Sequence, residues 1–174
     1  MIEAARYLAK SAPAEHRRVI VVVSDGEDNF SENIKKAIGR TRDEQNAATV
    51  QARRSVQNKM LLEVQRELQK ADAAFYSINP SGPGLRLNVI SQRAQDGMEQ
   101  LATSTGGASF VPDKLDDLDA VFRRIAAELR SQYLLQYYSK SEAPNGTYLA
   151  IGVQVPKRSD LRIRTRQGYY VKRK

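Results

Sequence analysis

The stretch RRVIVVVSDGEDN, residues 17–29, decides the fold, because an unbroken apolar run ends there in a group of acids. The run at 19–23 is apolar and β-branched throughout and does not alternate with polar residues. Such a run is typical of a strand covered on both faces in a parallel sheet. Asp25, Glu27 and Asp28 follow directly, so this end of the strand needs either solvent or a cation.

Around this strand, apolar periodicity predicts alternating helices and strands up to residue 131. Helical stripes are predicted at 2–11, within 44–72, around 98–102 and at 115–129. Buried strands are predicted at 73–79 and 108–111. Asp113 is expected to cap the helix at 115–129. This alternation implies right-handed crossovers and therefore a parallel sheet flanked by helices, the α/β class.

The pattern changes after residue 131. Three strand-like runs follow, at 132–138, 147–155 and 161–166, and turn-forming residues separate them. They predict a small antiparallel β meander with one covered face and one wet face. We therefore divide the chain into an α/β domain at 1–131 and a β extension at 132–174, with residues 32–60 as a candidate insertion.

Composition limits the function classes. The chain has 174 residues, which suits one domain with a small appendage. It has no cysteine, which excludes disulfides and thiolate metal sites. No stretch approaches the roughly 20 apolar residues of a membrane span, so we expect none. Most of the net charge of +8 lies in a basic tail at 157–174.

Five short motifs occur in an order that resembles von Willebrand factor A (VWA) domains of the bacterial VWFA-related subfamily. They are SDGEDN at 24–29, YSI at 76–78, TGG at 105–107, ELRSQY at 128–133 and RQGYY at 166–170. The resemblance covers nearly the whole chain except 32–60. It implies a partial Rossmann-like sheet, in which this chain corresponds to the C-terminal half of the domain and its β extension. The VWA strand that lies beside 19–23 has no counterpart, so an exposed apolar edge is expected there.

The resemblance also implies a metal site. VWA domains bind Mg²⁺ or Mn²⁺ at a metal-ion-dependent adhesion site. Its ligands are an Asp-x-Ser-x-Ser motif, a threonine, and the aspartate of a Ser/Thr-Asp-Gly motif. Only the last has a counterpart here, Asp25, and no Asp-x-Ser-x-Ser occurs in the sequence. We therefore expect an incomplete site that binds metal weakly or not at all.

The favoured interpretation is a non-enzymatic protein-binding module of adhesion or scaffold type. Its partner is an unidentified protein, and self-association through the edge of 19–23 is a further expectation. One alternative is a Mg²⁺-dependent phosphoryl-transfer or hydrolytic enzyme using Asp25, although no glycine-rich phosphate loop accompanies it and His16 lies at the far end of the strand. Full-length relatives are expected in the envelope or outside the cell, while the N-terminal residues show no apolar signal-peptide core.

A second alternative is nucleic-acid binding through the basic tail. Arg162, Arg164 and Arg166 alternate along one predicted strand, with Tyr169 and Tyr170 close behind. Arginines next to aromatic rings can bind single strands. Because the tyrosines belong to the stretch that resembles the family, we expect them to pack the extension instead.

Overall fold

The computed structural model describes residues 1–13, 15–25, 47–82 and 89–171. Within these ranges the chain forms a three-stranded parallel sheet flanked by helices and a separate two-stranded antiparallel sheet, which confirms the predicted α/β class. The helices are α1 (Ile2–Ser11), α2 (Ala47–Lys70), α3 (Val89–Thr105) and α4 (Leu118–Arg130). The strands are β1 (Arg18–Val23), β2 (Ala73–Ile78), β3 (Ser109–Phe110), β4 (Tyr148–Ala150) and β5 (Gly168–Tyr170).

The helices differ from the prediction mainly at their ends. The helix expected around 98–102 is longer, because α3 extends from Val89 to Thr105. The expectation that Asp113 caps the last helix is wrong: a 3₁₀ turn at Leu115–Asp117 precedes α4, and Lys114 is the residue before that turn. The α-helix α4 therefore begins at Leu118, later in the sequence than the predicted helix at 115–129. Most of the candidate insertion at 32–60 lies outside the described residues; its last part belongs to α2.

The parallel sheet has the strand order β1-β2-β3, so β2 is central. β1 and β2 pair in parallel from Arg18 beside Ala73 to Val23 beside Ile78. β3 pairs only with the end of β2. β1 is therefore an edge strand among the described residues, as predicted.

One face of the sheet, here called the three-helix face, packs against α1, α2 and α3. Ile20 of β1 and Phe75 of β2 are buried on this face. The helices contribute the apolar stripes that the sequence predicted, including Leu68 of α2 and Leu101 of α3. Arg18, at the start of β1, links the strand to two of these helices. Its guanidinium donates to the carbonyl of Ala12, which follows α1, and to that of Ala71, which follows α2. These contacts form the larger of the two cores.

The opposite face, here called the α4 face, is only partly covered. Tyr76 and Ile78 of β2 are buried there with Phe110 and with Ile125 of α4. Val19 of β1 reaches this second core. The rest of β1 does not, because α4 packs over β2 and β3.

The prediction that β1 is covered on both faces is therefore wrong for its second half. Val21 is 40% exposed and Val23 is 51% exposed, and both point to the α4 face. Five valines and isoleucines in sequence indicate a strand, but they do not determine how far a helix reaches across it.

The turn between α3 and β3 depends on two glycines. Gly106 has φ +81°, a left-handed conformation that glycine adopts without strain and that ends the helix. Gly107 lies directly against the backbone of β2, where an added Cβ would collide with the carbonyl of Phe75. Gly107 therefore allows β3 to approach the central strand.

The extension contains two strands rather than the predicted meander of three. β4 and β5 pair antiparallel, with Leu149 opposite Tyr169. The runs at 132–138 and 161–166 lie outside regular strands. The predicted alternation holds only within 147–153, where odd-numbered side chains are partly buried and even-numbered ones exposed. The small antiparallel sheet is thus confirmed, but with shorter strands.

Candidate functional site

Asp25 follows β1 at the carboxyl end of the sheet, where the sequence placed it. The amide of Ser24 donates to the carbonyl of Ile78 at 2.9 Å, so the pairing with β2 continues one residue past the strand. Asp25 is exposed. In open parallel sheets, ligands bind beyond this end of the strands. The two further acids of the predicted cluster, Glu27 and Asp28, lie outside the described residues.

The neighbouring strands end in a hydrogen-bonded polar network. Ser77 Oγ and Ser109 Oγ are 2.7 Å apart, and Gln95 Nε2 donates to Ser109 Oγ at 2.9 Å. Asn79 Nδ2 donates to Gln95 Oε1 at 3.2 Å, and Asn79 Oδ1 accepts from the amide of Ser81. Because these groups bond to one another, they hold the ends of β2 and β3 in place rather than presenting oxygens to a ligand.

The described residues do not supply the ligand set of a hard cation. Mg²⁺ takes six oxygens in an octahedral arrangement. Among residues 1–13, 15–25, 47–82 and 89–171, no three histidines or acids come together in a way that could hold a metal. The residues described around Asp25 therefore do not fit a complete metal site.

The open flank of β1 is the apolar feature nearest to Asp25. We define it as the α4-face side chains Val21 and Val23 together with the edge of the strand, which has no partner strand among the residues that the structure describes. Val19, on the same face of β1, still reaches the core beneath α4.

Sequence reasoning predicted the edge of β1 but missed this flank. The uniformly apolar run at 19–23 predicts a strand covered on both faces, which would bury Val21 and Val23. The available signal was the order of the helices along the chain, because only one helix follows the last parallel strand and one helix cannot cover three strands.

The opposite, amino end of the sheet is covered by the extension. Arg166 forms an ion pair with Asp72, which precedes β2, with 2.5 Å between Nη1 and Oδ1. Arg164 forms an ion pair with Glu128 of α4. The amide of Gln167 donates to the carbonyl of Ser104 at the end of α3. The extension thus lies at the other end of the sheet from Asp25, and so does the exposed His16, which precedes β1.

Several arginines and tyrosines of the basic tail make contacts within the chain. Two of the three alternating arginines, Arg164 and Arg166, are paired with acids of the domain. The ring of Tyr169 packs edge-on against that of Tyr137, and Tyr170 packs against Tyr148. Two of the three alternating arginines and both tyrosines that a nucleic-acid interface there would use are therefore engaged within the described chain.

A buried phenol joins α4 to the centre of the sheet. Burial raises the pKa of the Tyr76 phenol above its usual range, and the nearby charge of Glu128 adds to the shift. Gln132 donates to this hydroxyl at 3.2 Å. Arg17 Nη1 donates to the carbonyl of Leu129 at 2.6 Å and Nη2 to that of Gln132 at 2.7 Å. The end of α4 is thereby fixed beside the start of β1.

The residues that follow form an exposed apolar segment. Tyr133, Leu134, Leu135 and Tyr138 are mostly or fully exposed, and the segment at 133–138 has no strand partner among the described residues. Within this segment, the ring of Tyr137 contacts that of Tyr169. This segment and the open flank of β1 both expose large apolar side chains of strand-forming type.

The comparisons with known proteins give no relative. No protein-family model, no curated protein and no solved structure matches this chain. Within the described residues, no helix is both long enough and apolar enough to cross a membrane.

Proposed function

We propose that this chain is a non-enzymatic protein-binding module of the VWA-like type, in which Asp25 is the remaining residue of an incomplete metal-ion-dependent adhesion site. The observation that carries the proposal is the open flank of β1. Within the described part of the chain, the flank combines a strand edge that has no partner strand with two valines that are about half exposed.

Protein is the ligand class that such a flank suits best. A free strand edge offers backbone N–H and C=O groups in a row, which another polypeptide strand can pair. The valines beside it add apolar area that is stabilising only when it is removed from water. Small molecules and nucleic acids lack a matching row of alternating donors and acceptors.

The position of the flank next to Asp25 supports the VWA-like part of the proposal. In the family that the sequence resembles, the partner binds at the carboxyl end of the sheet, over the metal. Here the apolar flank reaches this end, because Val23 is the last residue of β1 and Asp25 is two residues beyond it. We propose that binding at this end depends on strand pairing and apolar contact rather than on a cation.

The two alternatives have less support. An enzyme using Asp25 would need further acids and a positive group close by, and the described residues provide no group of three acids or histidines. A nucleic-acid interface at the tail would need free arginines, whereas Arg164 and Arg166 form ion pairs. We therefore adopt neither.

Photo-crosslinking in the producing cells tests the proposal. A benzophenone amino acid at position 23 should give covalent adducts with protein, because Val23 lies in the flank. The same amino acid at position 155 is the control, since Val155 has a similar exposure of 42% and belongs to the extension. The adducts at position 23 should disappear when Val21→Lys is added. No adduct at position 23, or the same adducts at both positions, would contradict the proposal.

A further inference from the structure

The exposed apolar segment at 133–138 meets solvent along its whole length. Tyr133 is 93% exposed, Leu134 72% and Leu135 68%, and every residue from 133 to 142 is exposed. In a strand with one covered face, alternate side chains would be buried. Here both alternate sets are exposed, so the segment is open to its surroundings on both sides.

The backbone of this segment is open as well. Within the part of the chain that the structure describes, no amide or carbonyl from 133 to 138 bonds to another backbone group. Such groups need water or another polar partner. The hydrocarbon core of a membrane supplies neither, whereas its headgroup layer supplies both. The segment therefore suits a layer that is apolar on one side and polar on the other.

Cations flank the segment at both ends. Arg130 precedes it and Lys140 follows it, and the sequence between them contains no acid. Both side chains are exposed, and neither forms an ion pair with any residue that the structure describes. Residues 130–171 contain seven basic residues and two acids, a net charge of +5. A partner of this surface should therefore be negatively charged.

The segment also lies against the basic extension. Tyr137 and Ser139 line one pocket together with two residues of the extension, Arg166 and Tyr169. Arg162 of the extension is exposed and has no ion pair among the described residues. Nearby acids are already neutralised by arginines of the extension, in the pairs Glu128–Arg164, Asp72–Arg166 and Asp160–Arg158. The charge that remains around the segment is thus positive.

A lipid surface fits these features better than a folded protein does. A partner strand or sheet would cover one side of the segment and leave the other set of side chains in water. A bilayer surface is fluid and can surround both sets. Tyrosine rings are enriched at the headgroup level of membranes, and lysine and arginine near the surface are attracted by anionic headgroups. Leucine adds apolar area that is stabilising when it leaves water.

We propose that residues 130–140 form a membrane-surface contact for an anionic phospholipid bilayer. The tyrosines and leucines of 133–138 enter the headgroup layer, and Arg130 and Lys140 bind the headgroups. No part of the chain crosses the bilayer in this contact, because the unpaired backbone of the segment stays in the polar layer.

This inference goes beyond the proposed function, because it concerns a different surface. Arg17, which precedes β1, donates to the carbonyl of Gln132 and so holds the start of the segment at the amino end of the sheet. The open flank reaches the carboxyl end, where Val23 is the last residue of β1. Contact at one end does not require contact at the other.

Sedimentation of the purified chain with phospholipid vesicles tests the inference. The chain should bind vesicles of phosphatidylcholine with about 30% phosphatidylserine, and should bind pure phosphatidylcholine vesicles at least about tenfold more weakly. Replacing both Leu134 and Leu135 with serine should lower the affinity for the anionic vesicles at least about tenfold, because less apolar area leaves water. The matched control replaces the exposed Leu62 and Leu115 with serine and should bind like the unsubstituted chain.

A second pair of variants tests the charges. Arg130→Gln together with Lys140→Gln should weaken binding to the anionic vesicles about tenfold. Lys59→Gln together with Lys114→Gln removes the same charge from exposed positions outside the segment. This control should bind within about twofold of the unsubstituted chain, because salt screens distant charges.

Tryptophan fluorescence reports whether the segment enters the headgroup layer, because the chain has no tryptophan of its own. Tyr138 is fully exposed, so a tryptophan in its place starts in water. The emission of Tyr138→Trp should shift to shorter wavelength when the anionic vesicles are added. Tyr7→Trp, at an exposed position of α1, is the control and should show no shift.

Three results would overturn the inference. The first is no binding to the anionic vesicles, or equal binding by the double-serine variant and the unsubstituted chain. The second is binding without a shift at position 138, which would mean adsorption by charge alone. The third is a benzophenone amino acid at position 135 that gives protein adducts in cells while the purified chain binds no vesicles, which would identify a protein surface. The proposed function is judged separately, by the adducts at position 23.

Discussion

β1 and β2 are neighbouring strands with similar apolar sequences, but their surroundings differ. Five of the six residues of β2 are buried, and the sixth is partly buried. In β1 only Ile20 is buried, while Val21 and Val23 are substantially exposed. In the described part of the chain, β2 has a strand on each side and is covered on both faces, whereas β1 has one neighbouring strand and is fully covered on one face only.

The difference shows what an apolar run does and does not specify. β-branched residues favour the extended backbone wherever the strand lies in the sheet. The stability that they contribute depends on the apolar area removed from water, which the neighbouring elements determine. The same kind of sequence therefore serves as core in β2 and leaves exposed apolar side chains in β1.

Truncation in the central strand should have the largest effect. Phe75 is fully buried in β2 and contacts the three-helix core. Phe75→Ala should lower the free energy of unfolding by about 3–5 kcal/mol, because it removes apolar contacts and leaves a cavity. Urea denaturation measures the change. A loss below about 1 kcal/mol would mean that β2 is not the centre of the core.

The two faces of β1 provide a closer comparison. Ile20→Ala should cost about 2–5 kcal/mol, because Ile20 is only 8% exposed on the three-helix face. Val21→Ala should cost below about 1 kcal/mol, because that side chain already meets water.

Both variants should be measured in dilute protein, so that association does not add to stability. Equal losses at the two positions would contradict the assignment of an open face.

Much of this architecture could be predicted from the sequence. The helical stripes, the two buried parallel strands and the glycine at 106 follow from local patterns with a direct physical cause. The position of Asp25 after β1 follows from the end of the apolar run. The lateral position of α4 could not be predicted, because it depends on contacts between segments far apart in the chain, such as the hydrogen bonds from Arg17 to the carbonyls of Leu129 and Gln132.

The extension shows a similar limit. Residues 132–138 have a strong strand-forming composition, yet they lie outside any strand because no edge is paired with them. The ion pairs of Arg164 and Arg166 with the domain join residues that are far apart in sequence. Periodicity indicates which segments can form strands, while tertiary contacts decide which ones do.

The covered face of β1 should become more open in acid. α1 covers this face, and Glu67 of α2 holds α1 by an ion pair with Arg6 at 2.9 Å. Hydrogen bonds from Lys70 and then Arg6 hold the pKa of Glu67 below its usual value of 4.5. A lowered folded-state pKa means that this stabilisation is present at neutral pH and is lost as the pH falls below that value.

Glu67→Gln should therefore lower Tm by only about 1–3 °C at pH 7. It should also reduce the loss of stability between neutral and acidic pH. Thermal unfolding at several pH values measures both effects, and Lys10→Gln in the exposed last turn of α1 is a charge control. An unchanged slope of stability with pH in Glu67→Gln would contradict this role.

The polar residues that follow β1 and β2 also differ in their surroundings. The effect that we expect from this difference, on metal binding, is the smallest. Asn79 after β2 belongs to a hydrogen-bonded network, whereas Asp25 after β1 is exposed. A single carboxylate is a poor ligand set, so calorimetry with Mg²⁺ or Mn²⁺ should show no saturable binding below about 1 mM. Asp25→Ala should give the same trace. Micromolar binding that Asp25→Ala abolishes would instead indicate a functional cation site.

Hydrogen exchange of the β1 amides tests the central claim most directly. In dilute, monomeric Val21→Lys protein, the amides of Ile20, Val22 and Ser24 should be protected because they bond to β2. The amides at positions 19, 21 and 23 should exchange rapidly, because they point away from β2. An alternating pattern in the monomer is what an open edge predicts. Uniform protection of all six amides in the dilute monomer would show that the edge is already paired and would contradict the account.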